Sequence, residues 1–307
     1  MKKKITAFVL SALLLFSLAA CGSTSEEHGS QDVLTIAATT YPVYLFTTAI
    51  TQGVEEVEVK LIVNQQTSCL HDYTLTVNDM KVISSADIII MNGAGLEDFM
   101  TDALAASDAA VIDCSQGVEL HAATGHHDHD HAEDEDEHEH FDPHIWLCEE
   151  SALVMLNNIQ RGLGELDGTH LDAYFQNAQA AASLFPTDPL AEVELACPYL
   201  ITFHDGFQYF AHDNGLTILK SIEEEEGSEA SAADIKEIIA LIEEYNIPAI
   251  FTEVNGSDAT AQAIARETGV EIYQLNMIMS GDGTGIQPYV DAMNANYDTI
   301  IQALGGN

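Results

Sequence analysis

Three histidines of this chain each sit where a strand is expected to end and are flanked by an aspartate, a setting that suits capture of a transition-metal ion. His71 lies in Cys69-Leu70-His71-Asp72-Tyr73-Thr74-Leu75-Thr76, His144 in Phe141-Asp142-Pro143-His144-Ile145-Trp146-Leu147, and His204 in Thr202-Phe203-His204-Asp205-Gly206-Phe207. A neutral imidazole nitrogen is a borderline-soft donor, and a carboxylate on its other nitrogen fixes the tautomer and strengthens the ligand. A lone histidine is more often a surface or hydrogen-bonded core residue. Three in one context point to a shared ion. Only neutral imidazole binds metal, so capture is expected to weaken as pH falls through roughly 6–6.5.

A second supply of imidazole has no fixed geometry. Residues 125–140 read GHHDHDHAEDEDEHEH and carry His126, His127, His129, His131, His138 and His140 among dense carboxylates. Such a run cannot bury a core and is expected to be a solvated loop offering weak, multiple cation sites. The whole chain has 9 basic against 50 acidic residues, a formal charge of −41. That balance serves solubility, repels nucleic acid and concentrates cations near the surface. No nucleic-acid partner is expected.

A catalytic zinc shares this outline, because three imidazoles with an open position activate water in hydrolases, and Asp72, Asp205 or Glu253 would then serve as base. No His-Glu-x-x-His string and no nucleophile elbow accompanies the histidines. The expectation is therefore a binding protein and not an enzyme.

The elements that must position these residues alternate between strand and helix. In the first half, apolar runs at Val33–Thr39, Val57–Val63, Asp87–Met91 and Ala110–Asp113 read as strands. Helical patterns fall at Tyr41–Thr51, Asn78–Ser85 and Leu96–Ala106. The second half repeats the rhythm, with strands at Tyr199–Thr202, Leu216–Leu219, Ile247–Thr252 and Val270–Leu275. Its helices fall at Gly206–Asn214, Ser231–Tyr245, Asp258–Thr268 and Pro288–Leu304. Between the halves, Cys148–Ala182 has few breakers and predicts one or two long helices. The fold class is α/β: two lobes, each a mostly parallel sheet flanked by helices, joined by a long linker helix, with ligand bound where carboxyl ends of strands face each other.

The N-terminus is not fold. A basic Met1-Lys2-Lys3-Lys4, an apolar Ile5–Leu18 and the close Leu18-Ala19-Ala20-Cys21 make a secretory signal, and Leu-Ala-Ala-Cys matches the bacterial lipobox. The match implies that Cys21 is lipidated and that the mature chain stands outside the cytoplasm on a lipid anchor. The expected organisation is residues 1–20 signal, 21–31 tether, 32–147 N-terminal lobe including the loop 121–140, 148–185 linker helix, and 186–307 C-terminal lobe. Cys69, Cys114, Cys148 and Cys197 fit no disulfide framework by spacing and stay open between pairing and burial as small hydrophobes.

Together these strings resemble the metal solute-binding proteins of bacterial ABC importers, the cluster A-I family of zinc and manganese binders. The resemblance is carried by His71-Asp72-Tyr73 with Thr76, by Asp142-Pro143-His144-Ile145-Trp146, by His204-Asp205-Gly206-Phe207 with Tyr209-Phe210, and by Asn92-Gly93-Ala94-Gly95-Leu96-Glu97. It implies a monomer that holds a metal between its lobes through His71, His144 and His204 and delivers it to the membrane permease of an importer. A manganese-type binding protein or adhesin of the same fold is the alternative. The chain departs from the family at Cys69 and Leu70, where an acid and a proline are usual, at Cys148, where an aspartate is usual, and at Asn276, where manganese binders and some zinc binders supply an acid. The fourth position is then left to water, to Glu253, to a loop histidine or to Cys69, with water ranked first. Three imidazoles with few hard oxygens favour Zn2+ over manganese.

Overall fold

The computed structural model describes residues 33–63, 70, 73–122, 141–187, 189–223, 230–254, 256 and 258–306. His71, Cys69, Cys21 and the six loop histidines lie outside the described residues.

The first lobe is built on β1 (Leu34–Ala38), β2 (Val57–Leu61), β3 (Ile88–Met91) and β4 (Ala110–Asp113), hydrogen-bonded in the order β2-β1-β3-β4. Every ladder is parallel. A parallel sheet is covered on both faces, which is why β3 is an unbroken run of Ile88-Ile89-Ile90 with all three side chains buried. Crossovers are made by α1 (Tyr41–Ile50), α2 (Val77–Ser84) and α3 (Thr101–Ala105). Pro42 starts α1, where a missing N–H costs nothing, and a capping box between Thr76 and Asp79 starts α2. The helix expected over Leu96–Ala106 is shorter than its pattern. Ala94 (φ 54°) stands in the left-handed region between two glycines, and after that turn the chain makes a single 3₁₀ turn, Asp98–Met100, before α3.

The linker is two helices, α4 (Glu149–Leu166) and α5 (Leu171–Ala182), separated by a 3₁₀ turn at Gly168–His170. Asp167 makes the break: its Oδ2 accepts from Tyr174 Oη at 2.7 Å and lies 2.6 Å from His170 Nδ1. Beyond the linker, β5 (Tyr199–His204), β6 (Thr217–Glu223), β7 (Ala249–Glu253) and β8 (Glu271–Leu275) repeat the arrangement in the order β6-β5-β7-β8, again all parallel. Their helices are α6 (Gln208–Asp213), α7 (Ala232–Tyr245), α8 (Ala259–Thr268) and α9 (Gln287–Leu304). Ser231 caps α7 reciprocally with Asp234, and Asn246 closes it at φ 51°. The strand expected to end at Leu219 runs four residues further, to Glu223.

Trp146, Phe46, Phe185 and Tyr289 fasten the lobes to one another. Phe46 on α1 meets Tyr289 on α9 edge-on, with ring centroids 4.9 Å apart, and Phe185 at the end of the linker lies 5.2 Å from Tyr289. Tyr289 Oη donates to the carbonyl of Trp146 at 2.7 Å. Cys114, Cys148 and Cys197 are free and buried, so these three behave as small hydrophobes.

Candidate metal site

The strand order places the site. In each sheet the chain winds outward to opposite sides of the first strand, and ligands of open α/β sheets bind beyond the carboxyl ends at that switch point. In the second lobe the two strands flanking it are β5 and β7, whose last residues are His204 and Glu253. Both side chains are buried, and Glu253 Oε1 lies 3.7 Å from His204 Nδ1. That nitrogen is on the far side of the ring from Nε2, so the carboxylate stands behind the imidazole.

His144 arrives from the other lobe. The carbonyl of Pro143 accepts from Asn92 Nδ2 at 2.9 Å, which ties the segment to the end of β3. Asp142 Oδ1 then accepts from both the His144 backbone N–H at 2.9 Å and the ring, Nδ1 lying 2.6 Å away. A carboxylate at Nδ1 holds the proton there and leaves the Nε2 lone pair free. His144 Nε2 and His204 Nε2 face each other at 3.2 Å, with the rings nearly perpendicular at 86°. Two Zn–N bonds of about 2.0–2.1 Å at a tetrahedral angle would separate their nitrogens by about 3.3 Å. The pair already holds that spacing.

Asn92 is itself fixed by a buried acid. Glu97 Oε1 accepts from Thr39 Oγ1 at 2.6 Å and from Asn92 N–H at 2.7 Å, while Oε2 accepts from Gly93 N–H at 3.0 Å. Burial drives the Glu97 carboxyl up to about 7, against the three donors that pull it down. Gly93 is required here: at φ 81° a side chain is strained, and a Cβ would fall 2.0 Å from Asp113 Oδ1.

The segment after β8 completes the second lobe's rim. Asn276 does not turn its amide to the histidines. Its Oδ1 accepts from Ile278 N–H at 2.8 Å, and its backbone is held from both sides by Asn296, at 2.7 and 2.9 Å. This local bond steadies Ile278 at φ 62°, a left-handed conformation that costs a β-branched residue on the order of 1–3 kcal/mol. Trp146 Nε1 donates to the carbonyl of Met277 at 2.8 Å, joining this rim to the residue two beyond His144.

Of the residues singled out by sequence, His144, His204 and Glu253 are thus assembled at one place. Among the described residues no group of three His, Cys, Asp or Glu makes a ready ligand set, and the converging nitrogens are the imidazole pair. Leu70, just before His71, is buried, and its carbonyl accepts from Tyr73 N–H at 3.0 Å. Asp142 orients its histidine as a flanking carboxylate should. Asp205 is used differently, since its Oδ1 accepts from Gln208 Nε2 at 2.9 Å and Ser221 Oγ at 3.2 Å, while Glu253 takes the place beside His204 Nδ1. The structural importance of Glu97, Asn296 and Trp146 was not visible as ligand chemistry. Glu97 and Trp146 stood in strings already singled out, the Asn92–Glu97 turn and the Asp142–Trp146 segment, whereas Asn296 gave no signal.

A family model described as zinc-uptake complex component A, periplasmic, matches residues 36–303. The chain is similar to the high-affinity zinc uptake system protein ZnuA of Bacillus subtilis, 28% identical over 320 aligned positions that cover 99% of this chain and 98% of that protein. It is also similar to the iron-binding protein YfeA of Yersinia pestis, 26% identical over 246 positions covering 77% of this chain and 76% of that one. Among solved structures, the SBP FpvC from Pseudomonas aeruginosa in complex with Mn2+ matches with a TM-score of 0.76 at 28% identity, covering 89% of this chain and 98% of that chain.

Proposed function

Because the chain belongs to the family of the periplasmic zinc-uptake complex component A, we propose that it captures Zn2+ between its lobes, outside the cytoplasm, and hands it to the permease of an ABC importer. His144 and His204 supply one imidazole each from opposite lobes, and His71 supplies the third. The observation that carries this reading is the pair of Nε2 atoms 3.2 Å apart, each presented by a different lobe. Asp142 and Glu253 act from behind the rings, keeping the protons on the outer nitrogens and making the inner ones better donors. Water fills the fourth position.

Zinc is favoured over manganese because the described part of the site offers nitrogen where manganese prefers carboxylate and water. The lipobox at Leu18–Cys21 supports an anchor on Cys21, and the acidic histidine run of residues 125–140 supports a loosely binding antechamber for the ion. The mature chain acts as a monomer, divided as residues 32–147, 148–185 and 186–307.

Calorimetric titration of zinc into the metal-free protein tests the assignment. His71→Ala, His144→Ala and His204→Ala should each abolish the tight site with the fold intact by circular dichroism. Removing residues 125–140 should lower the stoichiometry and leave that site. An unchanged tight site in His204→Ala would remove the reading.

A further inference from the structure

A methyl group stands near the imidazole pair, beside Gly206. Gly206 follows His204 by two residues, and a Cβ built on it would fall 2.5 Å from Met277 Cε, 2.7 Å from His204 Cδ2 and 3.0 Å from His144 Cε1. Each of those ring carbons is bonded to the Nε2 that faces the other ring. The end of the Met277 side chain and the ring carbons beside both Nε2 atoms therefore border the same small space at Gly206, which a Cβ would fill.

Nothing about this placement is loose. Met277 is buried, its carbonyl accepts from Trp146 Nε1 at 2.8 Å, and it lies between Asn276, clamped by Asn296, and the left-handed Ile278. The same local bonds decide what the rim does not offer. Asn276 Oδ1 is committed to Ile278 N–H at 2.8 Å. The carboxyl end of β8 thus brings a thioether methyl near the ring pair and keeps its amide oxygen in the turn.

We propose that Met277, bordering the space at Gly206, is a specificity-determining residue of the metal site. Its methyl group shuts oxygen donors away from one side of the His144–His204 pair and so favours a four-coordinate ion over one that demands six oxygen-rich ligands. A zinc ion is satisfied by four donors in a tetrahedron, whereas manganese is suited by carboxylate and water in an octahedron. An apolar wall that neither donates nor admits water penalises the second ion more than the first.

This inference rests on the imidazole pair holding the ion, and its test separates the two. Zinc and manganese affinities are measured by competition with a chelator on the mature chain and on Met277→Leu, Met277→Asp and Met277→Ala, with His204→Ala alongside. Leucine is apolar and close in volume, so Met277→Leu should keep the zinc-to-manganese ratio. Met277→Asp puts an oxygen donor beside the rings and should narrow the ratio by about tenfold or more, the size of effect seen when a metal's close surroundings change. Met277→Ala admits a water and should narrow it in the same direction, which serves if the aspartate variant does not fold. An unchanged ratio in both the aspartate and alanine variants overturns the proposal. So does a ratio that shifts as much in Met277→Leu, since the sulfur would then be acting as a ligand. Tight zinc binding that survives in His204→Ala overturns the underlying assignment, whatever Met277 does.

Discussion

Asp142 should matter to zinc almost as much as a ligand does, although it touches no metal. Its Oδ1 lies 2.6 Å from His144 Nδ1 and also accepts from the His144 backbone N–H at 2.9 Å, with both side chains at most 4% exposed. A contact that short and that dry is charge-assisted and screened little by solvent. Two separate effects follow for Nε2: the proton is kept off it, and the negative charge behind the ring strengthens it as a donor to metal. Asp142→Asn keeps an oxygen for Nδ1–H but loses the charge. Asp142→Ala loses both, and frees the ring to rotate. Partners in this position typically contribute 10–100-fold to metal affinity, or about 1.4–2.7 kcal/mol. The asparagine variant belongs near the lower figure and the alanine variant near the upper one. Competition against a chelator of known affinity at neutral pH reads both, with thermal melting of the metal-free proteins to confirm the fold. If Asp142→Ala binds zinc as tightly as the parent while folding normally, the proton on Nδ1 is not what readies His144.

Glu253 approaches His204 Nδ1 less closely, at 3.7 Å, so Glu253→Gln should weaken zinc by no more than about tenfold. A loss as large as that of His204→Ala would instead make the carboxylate a direct ligand. Glu97 should leave a pH signature on the metal-free protein. Its carboxyl rises from an ordinary 4.5 to about 7 on folding, so the native state holds a proton that the unfolded chain has released. The stabilisation is fully present below pH 4.5 and is lost as pH rises through about 7, a change of up to about 3 kcal/mol. Urea denaturation across that window should show the parent falling relative to Glu97→Gln, and parallel curves would refute the assignment.

The fold was legible because its strands are buried on both faces. Runs such as Ile88-Ile89-Ile90 admit few other readings, and their regular alternation with helical segments fixes a parallel sheet. Boundaries slipped where a local bond or a backbone conformation overrode the pattern: at Ala94, whose positive φ truncates a helix, and at Asp167, whose carboxylate gathers Tyr174 and His170 into a break. Of the histidines expected at strand ends, His204 does close a strand beside an acid. His144 instead stands just before the 3₁₀ turn Ile145–Leu147, far from the end of any described strand, and was legible only through its Asp142-Pro143 string. Their partners were less legible, because the carboxylate that serves an imidazole need not be its neighbour in sequence. Asp142 lies two residues from its histidine, whereas Glu253 reaches His204 from the next strand of the sheet, 49 residues on. Met277 gave no signal at all, since a buried methionine reads as core until the glycine opposite it is placed.

The cross-lobe contacts also decide how far the protein must move to take up its ion. Gly285 N–H donates to Thr48 Oγ1 at 2.8 Å, and Gly283 N–H to Tyr41 Oη at 3.1 Å, binding the loop before α9 to α1. Trp146 adds two more bonds, through its indole to Met277 and its carbonyl to Tyr289. These bonds, with the edge-on contact of Phe46 and Tyr289, hold the lobes together without any metal. The nitrogens at 3.2 Å need no travel to receive a tetrahedral ion, so little binding energy is diverted into closing a cleft. Small-angle scattering should accordingly give one envelope with and without zinc, while melting rises with zinc concentration because only the folded chain presents the pair. A metal-free protein distinctly larger than the loaded one would mean that these four bonds do not hold the lobes, and that the ion itself is the latch.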